Sequence, residues 1–178
     1  MHGLIFTSFR RFTDAELRDV TEAVWRDAPR YGEDAAYNDG ELVALVDRAA
    51  ALAGTTRRDV LLRFGSFTAQ HVFRELQPEF YAGSGGTRQF LLDVEQHIHR
   101  VLSHTIPGAA PPRLQVVPFG SGGLSITYTS DRGLCDLLEG LAVGTAAHYG
   151  ESFEIDHPTC MHRGDDACAF FMTPVAGA

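Results

Sequence analysis

Three absences set the first limits on this sequence. No apolar run approaches the roughly 20 residues of a membrane-spanning helix, and the arginines near the start follow the apolar residues, unlike in a signal peptide. The formal net charge of -8 argues against a face that neutralises nucleic-acid phosphates. Only three cysteines are present, an odd number that suits a disulfide framework poorly. We therefore expect a cytoplasmic protein that binds neither membranes nor nucleic acid, with cysteines used for metal ligation or redox chemistry.

The composition is that of an ordinary globular protein. Hydrophobic residues make up 44% of the chain and charged residues 21%. A chain of 178 residues can bury most of its apolar surface in one core. We therefore expect one domain over residues 1–178.

The first part of the chain carries helical patterns. Apolar residues at helical spacing predict a short helix over residues 3–12. Thr13 and Glu16 resemble a capping box, which predicts that a second helix begins there. Gly54 is a typical helix stop, and Thr56 can cap the helix that follows. This pattern predicts a helical N-terminal subdomain over about residues 1–65.

A longer helix is predicted over residues 87–105. Its apolar stripe includes Phe90, Val94 and Ile98. His99 lies beside this stripe, whereas His97 lies on the opposite flank and is interpreted as a surface residue. Position alone favours a histidine partly buried against the core over a ligand.

After Pro111 the pattern changes to alternation, which is typical of strands. Strands are predicted on either side of a glycine-rich turn over residues 120–123, followed by a helix and two more strands. We therefore predict the α+β class, with a C-terminal subdomain over about residues 66–178 that combines a four-stranded antiparallel sheet with two long helices.

Tyr128, Ser130 and Arg132 are spaced two residues apart. On an extended segment they point the same way, and their two hydroxyls and one guanidinium suit a pair of carboxylates. On spacing alone, an edge strand with ordinary polar residues is the favoured interpretation.

The combined pattern resembles a known family. His99, a Pro-Pro-Arg-Leu run at residues 111–114 and the Tyr-x-Ser-x-Arg motif are similar to the heme nitric oxide/oxygen-binding (H-NOX) domain family. The start of the chain, Met-His-Gly followed by an apolar run, also resembles this family. The resemblance implies a fold that encloses heme b, with His99 as the iron ligand.

The same resemblance gives roles to other residues. It implies that Tyr128, Ser130 and Arg132 bind the heme propionates and that Pro112 packs against the porphyrin, although a proline here also simply separates helix from strand. Four apolar residues match positions that line the gas-binding side: Ile5, Phe9, Leu137 and Leu141.

Gas preference follows from that apolar lining. Relatives that hold O2 have a tyrosine five residues after the motif arginine, where this chain has Leu137. Bound O2 needs a hydrogen-bond donor far more than NO does. We therefore expect NO, and more weakly CO, to bind in preference to O2. Thr68 is a residue that could approach this pocket.

The cysteines form a second candidate site together with one histidine. Cys135, His157, Cys160 and Cys168 make a Cys3His set, which is common in structural zinc sites and resembles a zinc-bearing subset of the family. His162 is a substitute ligand. Small buried core cysteines are the simpler alternative. If zinc is bound, oxidation of the thiolates would give a redox input independent of heme.

These features together indicate a heme-based gas sensor and not an enzyme. Release of His99 and a shift of the two halves would carry the signal to a separate effector, and similar single-domain relatives act with a histidine kinase or a cyclic-di-GMP enzyme. One alternative is a heme-independent redox sensor built on the zinc thiolates. Another is a small-molecule-binding domain of the vinyl-reductase-like type.

Overall fold

The computed structural model describes residues 1–76, 78–94 and 112–175. The chain begins with helices α1 (Gly3–Glu16), α2 (Arg18–Trp25), α3 (Asp39–Ala53) and α4 (Arg57–Phe67). A π-helical segment, Thr68–Phe73, continues α4 and leads to α5 (Arg74–Leu76), α6 (Pro78–Gly83) and α7 (Thr87–Asp93). Among these described residues, no helix is long and apolar enough to cross a membrane.

Four antiparallel strands and one long helix form the rest of the described chain. The elements are β1 (Arg113–Phe119), β2 (Gly123–Thr129), α8 (Cys135–His148), β3 (Phe153–Thr159) and β4 (Cys168–Pro174), with a 3-10 turn at Met161–Arg163. The strand order is β1-β2-β4-β3. The predicted α+β class and the four-stranded antiparallel sheet are confirmed.

The buried apolar residues form two clusters. The first joins α1–α4 and includes Leu134 and Leu137 from the region of α8. The second lies between α7, α8 and the sheet, and contains the three cysteines. The proposed boundary near residue 65 stays a prediction, because α8 contributes to both clusters.

Glycines bring α4 and α8 into direct backbone contact. A Cβ on Gly65 would lie 2.6 Å from the backbone nitrogen of Leu141, and one on Gly144 would lie 2.7 Å from the Cα of Ser66. A Cβ on Gly140 would overlap the carbonyl of Leu62. Only glycine allows this approach. The contact fixes α8 along the N-terminal helices.

Most of the predicted helix boundaries are confirmed, but one is wrong. Gly54 ends α3 in the left-handed conformation, and Thr56 caps α4 by accepting a bond from the backbone of Asp59. Thr13 does not begin a helix: α1 runs on to Glu16, and the Thr13 hydroxyl donates to the carbonyl of Arg10 at 3.0 Å. Thr13 is buried, and its hydroxyl accepts a bond from Nε1 of Trp25 at 2.8 Å.

The predicted helix of residues 87–105 begins at Thr87 as expected. Its later part, with His97, His99 and His104, lies outside the described residues.

Candidate cofactor and metal sites

The three cysteines and His157 meet at one point between α8 and the sheet. Cys135 is the first residue of α8, Cys168 is the first residue of β4, and Cys160 follows β3. The ligand atoms of all four side chains lie within 4.8 Å of one another. The fold thus gathers residues that are up to 33 positions apart in the sequence, since 168 minus 135 is 33.

The sulfur separations match a tetrahedral metal. The Sγ of Cys160 lies 3.8 Å from the Sγ of Cys135 and 3.8 Å from the Sγ of Cys168. Two thiolates bound to one zinc ion at about 2.3 Å, with tetrahedral angles, are about 3.8 Å apart. All three cysteines are buried free thiols. Their spacing therefore fits a zinc ion.

His157 offers the fourth ligand atom. Its Nε2 is buried without a hydrogen-bond partner among the described residues, while its Nδ1 lies 3.8 Å from Oε2 of Glu139. Its ring packs on Phe170 with centroids 4.0 Å apart. A ligating histidine commonly has a carboxylate at its second nitrogen. Burial lowers the pKa of His157, and neighbouring arginines add to this against the opposing Glu139, so the neutral, metal-binding form is favoured.

When no metal is bound, burial disfavours the charged thiolate form of two of the cysteines. Burial is the main cause that raises the pKa of Cys135 and of Cys168. The backbone N–H of Met161 points at the Sγ of Cys168 at 3.3 Å and would favour a thiolate there. A bound cation would compensate the thiolate charges and favour the deprotonated, metal-binding form.

A second group, made of one cysteine, one aspartate and one histidine, is less suited to a metal. Cys135, Asp136 and His162 also lie close together. Asp136, however, forms an ion pair with Arg58, and Nε2 of His162 is 2.8 Å from the carbonyl oxygen of Gly133. His157 is therefore the better partner for the cysteines, and His162 remains second choice.

Tyr128, Ser130 and Arg132 lie together where β2 ends. Tyr128 is buried in β2, and its hydroxyl accepts a bond from the N–H of Leu134 at 3.2 Å. Burial raises the pKa of Tyr128, whereas Ser130, Leu134 and Arg132 oppose the rise. The three side chains are thus close enough to influence one another.

The geometry of this motif differs from a fully extended segment. β2 stops at Thr129, and the N–H of Arg132 donates to the hydroxyl of Ser130 at 3.3 Å across a turn. The turn, and not strand alternation, brings the two hydroxyls and the guanidinium together. They form a donor set suited to carboxylates.

Arg132 also contacts the N-terminal helices. Its Nε donates to Oδ2 of Asp39 at 2.7 Å, and the N-terminal ammonium lies 2.5 Å from Oδ1 of the same carboxylate. Burial acts to raise the pKa of Asp39, but the hydrogen bonds from the ammonium and Arg132 outweigh it and lower the pKa. The carboxylate therefore links α3 to the motif.

The four predicted pocket residues lie on two helices that pack against the same cluster. Phe9 and Leu137 are buried members of the first cluster, and Ile5 and Leu141 pack partly buried against it. Phe9 also contacts the ring of Phe64 at a centroid distance of 5.0 Å. All four side chains are apolar and carry no hydrogen-bond donor.

Pro112 is half-buried and immediately precedes β1. This placement is consistent with both interpretations of Pro112, as a residue that packs against the porphyrin and as a residue that separates helix from strand.

A family model described as haem-NO-binding matches residues 2–157. The chain belongs to this family. It is thus an H-NOX domain, and the family is one of heme-based gas sensors. A search of curated proteins finds no match for this chain.

Solved H-NOX structures share the whole fold. The chain is similar to an S. oneidensis H-NOX protein in the Fe(II)NO ligation state, with 22% identity, a TM-score of 0.87, and coverage of 98% of this chain and 99% of that one. An unliganded Fe(II) H-NOX protein from K. algicida gives 21% identity, a TM-score of 0.86, and coverage of 99% and 98%. A mutant T. tengcongensis H-NOX gives 20% identity, a TM-score of 0.84, and coverage of 98% and 97%.

Sequence reasoning missed three residues at the candidate sites of this H-NOX domain. Asp39 holds Arg132, Glu139 lies against His157, and Arg58 binds both Glu139 and Asp136. Each pairs with a residue distant in sequence, so no local pattern marks it. The one available signal for Glu139 was its place on α8, one helical turn after Cys135.

Proposed function

We propose that this H-NOX domain is a gas sensor that binds NO, and CO, at a ferrous heme in preference to O2. The observation that carries the proposal is the meeting of Tyr128, Ser130 and Arg132 at the end of β2, in a chain that belongs to the haem-NO-binding family. The domain would act on a separate effector protein, a histidine kinase or a cyclic-di-GMP enzyme, in the cytoplasm.

A bound heme b supplies an iron atom with a position open to a diatomic gas. In this proposal, Tyr128, Ser130 and Arg132 donate hydrogen bonds to its propionates, and Pro112 packs against the porphyrin. His99, which lies outside the described residues, donates its imidazole to the iron. Support for the role of His99 comes from its place in the family's motif.

The preference for NO and CO is proposed from the apolar side chains. Ile5, Phe9, Leu137 and Leu141 lack a strong hydrogen-bond donor, and Leu137 is buried against the first cluster. A polarised O2 ligand gains more from a donor than NO or CO does. An apolar lining therefore disfavours O2.

Signalling is proposed to begin when His99 releases the iron. Arg132 and Asp39 join the end of β2 to α3, so Arg132 would transmit a change at its propionate contact to the N-terminal helices. A shift of the two halves alters signalling only if the effector binds the two arrangements with different free energies.

The test is replacement of His99 by glycine, with His97→Gly as the matched control. We expect His99→Gly to lose stably bound heme, and added imidazole to restore it. His97→Gly should keep its heme and its ferrous NO spectrum. Unchanged heme content in His99→Gly without imidazole would show that another residue ligates the iron.

We further propose a zinc ion in the Cys3His group of Cys135, His157, Cys160 and Cys168. Support comes from the 3.8 Å sulfur separations and the partnerless buried Nε2 of His157 among the described residues. Purified protein should contain one zinc ion per chain, and Cys168→Ser should lose it. A zinc-free preparation after mild purification would contradict the site.

The same group supports the alternative function, a heme-independent redox sensor. Oxidation of the thiolates would eject the metal and loosen the junction of α8, β3 and β4. Zinc release by a mild thiol oxidant from heme-free protein, followed by altered effector binding, would favour this function over gas sensing.

A further inference from the structure

Thr68 has a buried hydroxyl that the fold does not use. The residue is 1% exposed, and its Oγ1 has no hydrogen-bond partner within the described parts of the chain. Two other buried helical hydroxyls are satisfied: that of Thr145 donates to the carbonyl of Leu141 at 2.8 Å, and that of Ser8 donates to the carbonyl of Leu4 at 2.6 Å. Among the described residues, the hydroxyl of Thr87 at the start of α7 is also buried without a partner, but Thr87 lies at a helix end and not within a continuous helical run. Buried polar groups are usually satisfied, so an exception needs an explanation.

The backbone at this residue is also unusual. Thr68 is the first residue of the π-helical segment Thr68–Phe73. Single π-helical turns within α-helices are rare and often occur at functional sites. The change of helical period at Thr68 and its unused hydroxyl are two separate observations at one position.

Neighbouring residues show which helices Thr68 lies between. Phe64 precedes it by one helical turn, lies on the same face, and contacts the Phe9 ring of α1 at 5.0 Å. Ala69, the next residue, lies beside Gly144 of α8. The π-helical segment packs against both α1 and α8. These two helices carry the four apolar residues assigned to the gas-binding side.

We propose that the Thr68 hydroxyl donates a hydrogen bond to a diatomic gas held at the heme iron. The inference rests on the proposed function and adds a residue that sets gas selectivity. The hydroxyl is available because its own helix leaves it without an acceptor among the described residues. An aliphatic hydroxyl is a weaker donor than a phenol, so it would lengthen gas residence without giving the strong O2 retention of a tyrosine.

The test compares Thr68→Val, which keeps the shape but removes the hydroxyl, with Thr68→Ser, which keeps the hydroxyl. We measure the C–O stretching frequency of the ferrous CO form and the CO dissociation rate in heme-loaded protein. Thr68→Val should raise the frequency and speed CO loss by about threefold to tenfold, the range for one neutral hydrogen bond. Thr68→Ser should stay close to the parent protein.

Thermal unfolding of heme-free protein separates this role from a structural one. Because the hydroxyl has no acceptor among the described residues, Thr68→Val should leave the melting temperature unchanged or raise it. A lowered melting temperature, or the same C–O frequency and CO loss in Thr68→Val and the parent, would overturn the inference while leaving the sensor function intact. A protein that takes up no heme would overturn both.

Discussion

Arg132 and Asp39 form an ion pair between the end of the Tyr-x-Ser-x-Arg motif and the first residue of α3, with Nε and Oδ2 2.7 Å apart. The Arg132 side chain is 13% exposed and that of Asp39 is 39% exposed, so solvent screens the pair only in part. The N-terminal ammonium lies at the other carboxylate oxygen. One carboxylate therefore holds two cations at the junction of the helices and the sheet.

Asp39→Asn should make the free energy of unfolding less dependent on pH in the acidic range. The pKa of Asp39 is lower in the folded protein than its ordinary value of 3.8. Its stabilisation is therefore fully present above pH 3.8 and is lost as the pH falls through the lowered folded value. We expect the variant to be less stable than the parent at neutral pH, with the difference shrinking in acid.

The measurement is the free energy of unfolding by denaturant across this pH range. Asp34→Asn, which removes an exposed carboxylate from the preceding loop, is the control. If the free energy of unfolding were the same for Asp39→Asn and the parent protein at every pH, the ion pair would contribute no stability.

Glu139→Gln should weaken metal binding at the cysteine group. Oε2 of Glu139 lies 3.8 Å from Nδ1 of His157, and loss of such a carboxylate typically costs about tenfold to 100-fold in metal affinity. Competition with a chelator measures the affinity for zinc. Asp156→Asn, an exposed change on β3, should leave it unaltered. Equal affinities for the parent and Glu139→Gln would remove Glu139 from the metal site.

Gly140→Ala should destabilise the protein by about 1–3 kcal/mol, as expected when a packed interface is overfilled. The added Cβ would overlap the carbonyl of Leu62 and push α4 from α8. Gly83→Ala is the matched control, because a Cβ there meets no atom within 4 Å. Denaturant unfolding of both variants gives the comparison. If Gly140→Ala were as stable as Gly83→Ala, the contact between α4 and α8 would accommodate the added Cβ without loss of unfolding free energy, contrary to the prediction.

Glu151→Ala should loosen the start of α7. Oε2 of Glu151 accepts the N–H of Thr87 at 2.9 Å, and loss of a capping acceptor typically costs about 1 kcal/mol. Hydrogen exchange at the Thr87 amide should become faster, and the unfolding free energy should fall. Ser152→Ala, at the next exposed position, should change neither. Unaltered exchange in Glu151→Ala would show that the cap is not used in solution.

The sequence predicted the features that depend on near neighbours. Gly54 and Thr56 are a helix stop and a helix cap, and each acts through atoms within about one turn. The hairpin between β1 and β2 follows from alternation and a glycine turn. The spacing of apolar residues and the residue types of turns are local properties, so they can be recognised in a single sequence.

Features that depend on distant partners were not predictable in the same way. Thr13 has the spacing of a helix cap, but its burial against Trp25, whose Nε1 donates to it at 2.8 Å, keeps it inside α1. From the sequence, Asp39 is interpreted as a loop residue, because its partner Arg132 lies 93 positions away. The clustering of the three cysteines with His157 was an exception, because cysteine and histidine are few in the chain and their shared metal-ligand chemistry predicts that they lie close together.

The strand register places Tyr128 directly opposite Cys168 on neighbouring strands. Inserting or deleting one residue immediately before Cys168 would reverse which side of the sheet Cys168 and each following side chain of β4 occupy. A single-residue length change there would thus carry the thiol away from its companions. Length variants should be tolerated at the hairpin tip of residues 120–122, where β1 turns into β2, and rejected in the paired stretch.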